Sequence, residues 1–307
     1  MKRIIAFFAI ALLGSVLLVF FAVSKRQPLP KPQAGKIIVS SSFYPLADFA
    51  KRVGGEKIEV INITPVGVEA HDYEPTPRDI SAIRVSRLFL YQGANFDPWA
   101  ERVANDISGS NTAVINMAEN FDLLSVEAGK KDPHFWLDPV LAQKEVVIIR
   151  DELKKIDPSN AALYEENAQK FSVSLDSLDR VIRSGLSHCA LSEIIVSHEA
   201  FNYFAARYGL KVIAISGVSP DIEPSAQVLG EIAKIAREKN IHYIFFETLA
   251  SPKLAETVAK EAGIQTSVLN PVEGLTPEEV SAGKDYLSIM GENLHNLEQA
   301  LQCQNKK

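Results

Sequence analysis

The 307-residue chain lacks a surplus of basic charge, a glycine-rich phosphate loop and short-period repeats, and it has only two cysteines. With 32 Lys and Arg against 38 Asp and Glu the formal net charge is -6, and no basic stripe is present. The electrostatic footprint of nucleic-acid binding is therefore missing, which excludes that class of partner. A cationic ligand suits this sign better. The Rossmann and Walker fingerprints are both absent, so the usual cradles for nucleotide phosphates are not available. Cys189 and Cys303 allow either one bridge or two separate thiols; their spacing says nothing about Cα separation, but export to an oxidising compartment would make the bridge the expectation.

Hydrophobic residues make up 47% and charged residues 23%, the composition of a folded protein with enough chain for two cores. Lys2 and Arg3 precede an apolar run over 4–23, and Lys25 and Arg26 follow it. This reads as a signal peptide or an N-terminal membrane anchor over 1–24; the run is about long enough to span a bilayer, and Ala22-Val23-Ser24 is a poor cleavage site. Residues 25–35 are proline-rich and read as a semi-extended spacer. The exported domain is expected from about Lys36, at the periplasm or the outer face of the cytoplasmic membrane.

From there, short β-branched runs alternate with longer amphipathic stretches, the pattern of an α/β fold with mostly parallel sheets. Strands are predicted at 36–39, 58–63, 88–91 and 113–115, and a second set at 194–196, 211–215, 242–246 and 266–269. Two lobes follow, 36–138 and 187–307, each with a central four-stranded sheet flanked by helices. Between them, 139–186 has helical periodicity broken only at Asp157-Pro158, and its second half predicts one long rigid helix of roughly 40 Å that bridges the lobes. Asp97-Pro98 and Asp138-Pro139 read as helix starts, with the aspartate capping. A stiff connection predicts that the lobes move little when ligand binds.

Ligands of open parallel sheets bind beyond the carboxyl ends of the strands, and the six histidines sort on that rule. His71, His134 and His198 follow strands and can meet in one cleft, whereas His188, His242 and His295 do not. Three imidazoles suit zinc and leave one tetrahedral position, for which Glu69, Glu74, Glu247 and Glu273 are carboxylate candidates. Phe135 and Trp136 are expected to wall the site.

Five stretches together make the chain resemble the zinc and manganese solute-binding proteins of ABC transporters, from about Lys36 to the C-terminus. They are Ser42-Phe43-Tyr44-Pro45-Leu46, Glu69-Ala70-His71-Asp72-Tyr73-Glu74-Pro75-Thr76-Pro77, Asp132-Pro133-His134-Phe135-Trp136-Leu137-Asp138-Pro139, Ser197-His198-Glu199-Ala200-Phe201, and Phe246-Glu247 with Leu269-Asn270-Pro271. The resemblance implies two α/β lobes joined by a long helix, a monomer that captures a metal ion and passes it to a membrane permease, and no enzymatic activity. It carries metal ligands to His71, His134 and His198. Many members have an aspartate where Asn270 stands here; the Leu-Asn-Pro-x-Glu-Gly form makes Glu273 the fourth ligand and leaves Glu247 outside the coordination shell. A third histidine implies Zn2+ as the transported ion, with Mn2+ as the alternative.

Two features depart from the family pattern. No cysteine follows the apolar run, so the lipid attachment common in such proteins is not available there, and no histidine lies in 119–132, where some zinc-binding relatives carry a histidine-rich loop. Among other classes, an exported zinc metallohydrolase is the main competitor. The zincin helix would need a second histidine at position 202, which is Asn.

Overall fold

Residues 35–126, 129–218 and 225–304 are described by a computed structural model; the expected leader and all but the last residue of the spacer lie outside them. The predicted strand runs form β1 (Ile37–Ser41), β2 (Ile58–Asn62), β3 (Leu88–Tyr91) and β4 (Ala113–Asn116) in one sheet, ordered β2-β1-β3-β4. A second sheet repeats that order with β5 (Glu193–Val196), β6 (Lys211–Ala214), β7 (Tyr243–Phe246) and β8 (Gln265–Val268), as β6-β5-β7-β8. Every pairing is parallel, so the sheets expected to be mostly parallel are wholly so. Helices cover parallel sheets on both faces, which explains why central strand β3 is buried at all four positions and reads as an unbroken apolar run.

The crossover helices of the first half are α1 (Tyr44–Gly54), α2 (Pro77–Val85) and α3 (Pro98–Asp106). Next come α4 (Pro139–Ile156) and α5 (Ala161–Gly185), separated by a single 3-10 turn at Pro158–Asn160. Asp157 makes that break: its backbone N–H closes α4 on the Leu153 carbonyl, and its carboxylate accepts from Ser159, Asn160 and Tyr164. At 25 residues α5 runs about 37 Å. Its buried residues Tyr164, Ala168, Phe171, Leu175 and Ile182 recur at helical spacing, giving one apolar stripe. The second half adds α6 (Asn202–Tyr208), α7 (Ala226–Glu238), α8 (Lys253–Ala262), α9 (Pro277–Ser281) and α10 (Tyr286–Ala300). Among the described residues no helix is long and apolar enough to cross a membrane.

The largest core cluster does not stop at the lobe boundary. It joins Val39 and Phe49 to Phe171 and Leu175 of α5, and these to Ile194 and Leu297. Cys189, just beyond α5, and Cys303, just beyond α10, form a disulfide across 114 residues. The two segments also pair there as an isolated antiparallel bridge, with the Gln304 N–H on the His188 carbonyl at 2.8 Å. One buried group has no counterpart in this scheme. Glu145 of α4 is fully buried and neither of its carboxylate oxygens has a hydrogen-bond partner, so burial pushes its pKa well above the usual carboxylate range.

Two outcomes follow. Denatured but unreduced protein should show no free thiol, and replacing both cysteines by alanine should lower the unfolding free energy by about 2–4 kcal/mol in denaturant titrations. Glu145→Leu should stabilise the fold at neutral pH by about 1–3 kcal/mol, the cost of an unpaired buried polar group. Because the folded-state pKa of Glu145 is raised, wild-type stability falls as pH climbs above the unfolded carboxyl value of roughly 4.3, so the gain from leucine should shrink below that pH.

Candidate metal centre

In both sheets the strand order reverses between the first and third strands, β1/β3 and β5/β7, and these reversals mark the crevice where ligands bind. His198 and Glu247 come directly off β5 and β7; His71 follows β2 and His134 follows β4. The turn after β3 is forced into a tight shape. Gly93 has φ +77°, and a Cβ there would lie 2.0 Å from the Asn116 Oδ1 atom. Ala94 and Asn95 are left-handed as well, at φ 51° and 64°. This turn presents Phe96, whose ring packs 4.4 Å from that of His71.

The structure brings His71, His134, His198 and Glu273 together, with all four donor atoms within 4.8 Å of one another. The Nε2 atoms of His71 and His134 are 3.3 Å apart, and those of His134 and His198 are 3.4 Å apart. The Glu273 Oε1 atom lies 3.4 Å from Nε2 of His134 and of His198, and 3.6 Å from that of His71. A tetrahedral zinc ion with ligand bonds of about 2.0–2.1 Å has donor–donor edges of about 3.3–3.4 Å, and these five separations lie at or slightly above that length. Both Glu273 oxygens are buried without a hydrogen-bond partner, as suits an acceptor meant for a cation.

Each inward Nε2 is set by what holds the opposite ring nitrogen. Nδ1 of His134 is 2.8 Å from Asp132 Oδ1, and the same oxygen accepts the His134 backbone N–H at 2.9 Å. Nδ1 of His198 is 2.6 Å from Glu247 Oε1, which also accepts from the Ser197 hydroxyl. Glu69 accepts the His71 backbone N–H at 3.0 Å. Charges follow from this packing. Burial disfavours imidazolium at all three rings; His71 titrates below its usual value because Glu273 only partly offsets that cost. At His134 the Asp132 and Glu273 carboxylates outweigh burial and raise the pKa, and at His198 Glu247 and Glu273 raise it well above normal. Burial would raise Glu273, but the surrounding imidazoles hold it well below the carboxylate range. Glu69 is pushed up to about 9 by burial and by the neighbouring charge of Glu273.

The Glu273 loop is built to hold its position. Asn270 spends both ends of its side chain on it, accepting the Val272 N–H at 2.7 Å and donating to Thr248 and Glu279. Val272 is held at φ 61°, a strained conformation for a β-branched residue, one step before Glu273. The loops carrying His71 and Glu273 then end alike. Thr76 with Asp79 and Thr276 with Glu279 form capping boxes that start α2 and α9, and each box acid also ties back into its loop, Asp79 to the Tyr73 hydroxyl and Glu279 to Asn270. Across the lobes the Trp136 indole N–H donates to the Pro271 carbonyl at 2.8 Å, and the Tyr286 hydroxyl donates to the Trp136 carbonyl at 2.6 Å.

Several expectations need correction. Glu74 does not reach the site; its exposed carboxylate pairs with Arg102. Asp97 starts α3 but does not cap it, because its carboxylate turns back to the N–H groups of Gln92 and Gly93 and holds the β3 turn. Asp138 does cap α4, on Val140. Trp136 lies against His134 at 5.1 Å, but Phe135 stacks on Phe121 instead of walling the site, and Phe96 takes that place. Sequence reasoning also missed the roles of Asp132 and Asn202. The Asn202 amide, from the other lobe, donates to the second Asp132 oxygen at 3.0 Å. His188, His242 and His295 are exposed and outside the cluster.

The family model of ZnuA, described as zinc-uptake complex component A periplasmic, matches residues 39–300. The chain belongs to this family. It is 38% identical over 280 residues to the high-affinity zinc uptake system protein ZnuA of Bacillus subtilis (strain 168), covering 87% of this chain and 88% of that one. The zinc-binding lipoprotein AdcA of Streptococcus pneumoniae is 36% identical over 304 residues, 94% of this chain, which spans only 60% of AdcA. Among solved structures, the Zn(II)-bound ZnuA-like domain of that AdcA matches with a TM-score of 0.77 and 39% identity over 87% of this chain and 99% of the domain. The laminin-binding protein Lmb of Streptococcus agalactiae, described as having adhesin and metal-transporting activity, matches with a TM-score of 0.80 and 33% identity over 87% of this chain and 99% of that one.

If Asp132 is what favours the charged form of His134, Asp132→Asn should lower the pH at which that imidazole titrates in metal-free protein, followed by NMR. An unchanged titration would mean that the hydrogen bond at Nδ1 is not the controlling contact.

Proposed function

We propose that the chain captures one zinc ion between its lobes through His71, His134, His198 and Glu273 and delivers it to the permease of a metal ABC transporter, as a monomeric substrate-binding protein and not an enzyme. The observation that carries this reading is the match between five of the six donor separations, 3.3–3.6 Å, and the edges of a zinc tetrahedron. Three imidazole nitrogens favour zinc over manganese, which prefers a more oxygen-rich shell. Four protein donors close the shell, so no position is left at which a hydrolase would activate water on a substrate. Glu247 and Asp132 act on the ion indirectly, by fixing the rings of His198 and His134. The same reading takes 1–24 as an export signal or membrane anchor and 25–35 as its spacer, which puts the domain 36–307 in the periplasm or at the outer membrane–water boundary of the cytoplasmic membrane.

Zinc must displace any proton held at Nε2. The raised pKa values of His134 and His198 mean that protons compete at a higher pH than free imidazole, roughly 6.5, would suggest. Calorimetry should therefore give one zinc per chain, with protons released on binding and affinity still rising with pH above 6.5. Glu247→Gln should weaken zinc by about 10–100-fold, typical for a partner of a ligating histidine, and Glu273→Gln should weaken it more. A crippling Glu247→Gln beside a harmless Glu273→Gln would move the fourth ligand to Glu247.

A further inference from the structure

Glu273 belongs to a second group of donors as well as to the zinc shell. One oxygen each of Glu69, Glu247 and Glu273 lie within 4.8 Å of one another. The three carboxylates line one narrow gap, closed off by Leu249, Asn270 and Pro271. Glu247 is 4% exposed and spends Oε1 on the His198 ring and the Ser197 hydroxyl. Its other oxygen, Oε2, is buried with no hydrogen-bond partner among the described residues, as are both oxygens of Glu273. The gap leaves no room for a water molecule to serve as that partner. A carboxylate oxygen holds a water at about 2.7–2.8 Å but a zinc ion at about 2.0–2.2 Å, so a space too small for the first still admits the second. Exposure also falls in order, from half-buried Glu69 to Glu247 at 4% and Glu273 at 1%. The three acids thus descend from the surface to the zinc shell.

We propose that Glu69, Glu247 and Glu273 form a second, all-oxygen zinc position through which the ion passes between solvent and the histidines, an inference that rests on the zinc-capture reading and adds the route. Carboxylate oxygen is an accepted zinc donor, and three of them without a fourth hold the ion less firmly than three imidazoles and a carboxylate, as a transit position requires. Glu273 is the pivot, bound to the ion in both positions. On entry Glu69 and the free Glu247 oxygen hold the ion with it. Each zinc–oxygen bond to those two acids then breaks, the carboxylate keeps the electron pair and its negative charge, and a lone pair from an imidazole Nε2 forms the replacing zinc–nitrogen bond. Release runs the same exchanges backwards, with no change in oxidation state. One ion uses the two positions in turn, so the count stays at one zinc per chain. Glu247 thereby has two tasks, one for each oxygen: it fixes the His198 ring and it carries the ion.

A residue that touches the ion only in transit lowers the barrier in both directions, and stopped-flow kinetics on the full chain tests this. Release is timed by mixing zinc-loaded protein with excess pyridylazoresorcinol, a chromophoric chelator. Uptake of zinc chloride by metal-free protein is followed by tryptophan emission, since the Trp136 ring lies 5.1 Å from that of His134. Glu69→Gln keeps an acceptor for the His71 N–H and should slow both release and uptake by about tenfold. A fixed charge or a prop for His71 would act the opposite way on release, because losing it weakens the bound state and speeds the ion's departure. Faster release in Glu69→Gln therefore overturns the proposal. Unchanged release does so too, since glutamine reproduces a protonated glutamic acid and would show that Glu69 serves only in that form. In a second arm, His71→Asn/His134→Asn/His198→Asn should still bind zinc weakly in calorimetry, and adding Glu69→Gln should lower that affinity by about tenfold. Equal affinities of those two variants would sink the carboxylate position and leave zinc capture standing. Failure of the wild-type chain to bind zinc would overturn both.

Discussion

Four donor atoms from four separate loops have to stand within 4.8 Å of one another among buried side chains. Left to themselves, a buried carboxylate and three buried imidazoles would swing apart to find partners or solvent. What holds them is a second layer of bonds behind the donors. Asp132 and Glu247 take the outer ring nitrogens, Glu69 takes the His71 backbone, and Asn270 locks the loop before Glu273. The repeated sheet order gives these loops their directions, and the two matching capping boxes fix where two of them end. The strain at Val272 is tolerated because the surrounding bonds leave its backbone no alternative.

The two lobes are parts of one packed body. The largest core cluster runs through α5, so opening the crevice widely would uncover side chains from both sheets. The bond from Trp136 to Pro271 ties the loop of His134 to the loop of Glu273 directly, and the bond from Asn202 to Asp132 ties the first lobe's ligand loop to the second lobe's first helix. Movement of one lobe is therefore felt at a donor atom of the other.

Much of this was legible in the chain because it depends on pattern. All eight strand runs became strands, and the rule that ligands gather at carboxyl ends separated His71, His134 and His198 from the three exposed histidines. What could not be read was which way a loop side chain turns. Glu69 and Glu74 both flank His71 and look equivalent in sequence, yet the chain's path buries one and leaves the other on Arg102. Asp97-Pro98 and Asp138-Pro139 share a signature, but an idle pair of N–H groups in the Gly93 turn drew the first carboxylate away from its helix. Asp132 lay in plain view two residues before His134; a preceding carboxylate at that spacing, able to reach the ring and the backbone at once, was the usable clue. Asn202 had no such signal, since its partner is 70 residues away in the chain.

The disulfide also sets an order of events during synthesis. Cys189 is made 114 residues before Cys303, an interval of about 6–23 s at about 5–20 residues per second. Throughout that interval the long helix, the first sheet and most of the second can form while one thiol waits unpaired. Residues 303 and 304 then add an isolated bridge pairing and a covalent bond just beyond the bridging helix. A chain truncated before Cys303 would carry all four clustered donors yet leave Cys189 without its disulfide partner.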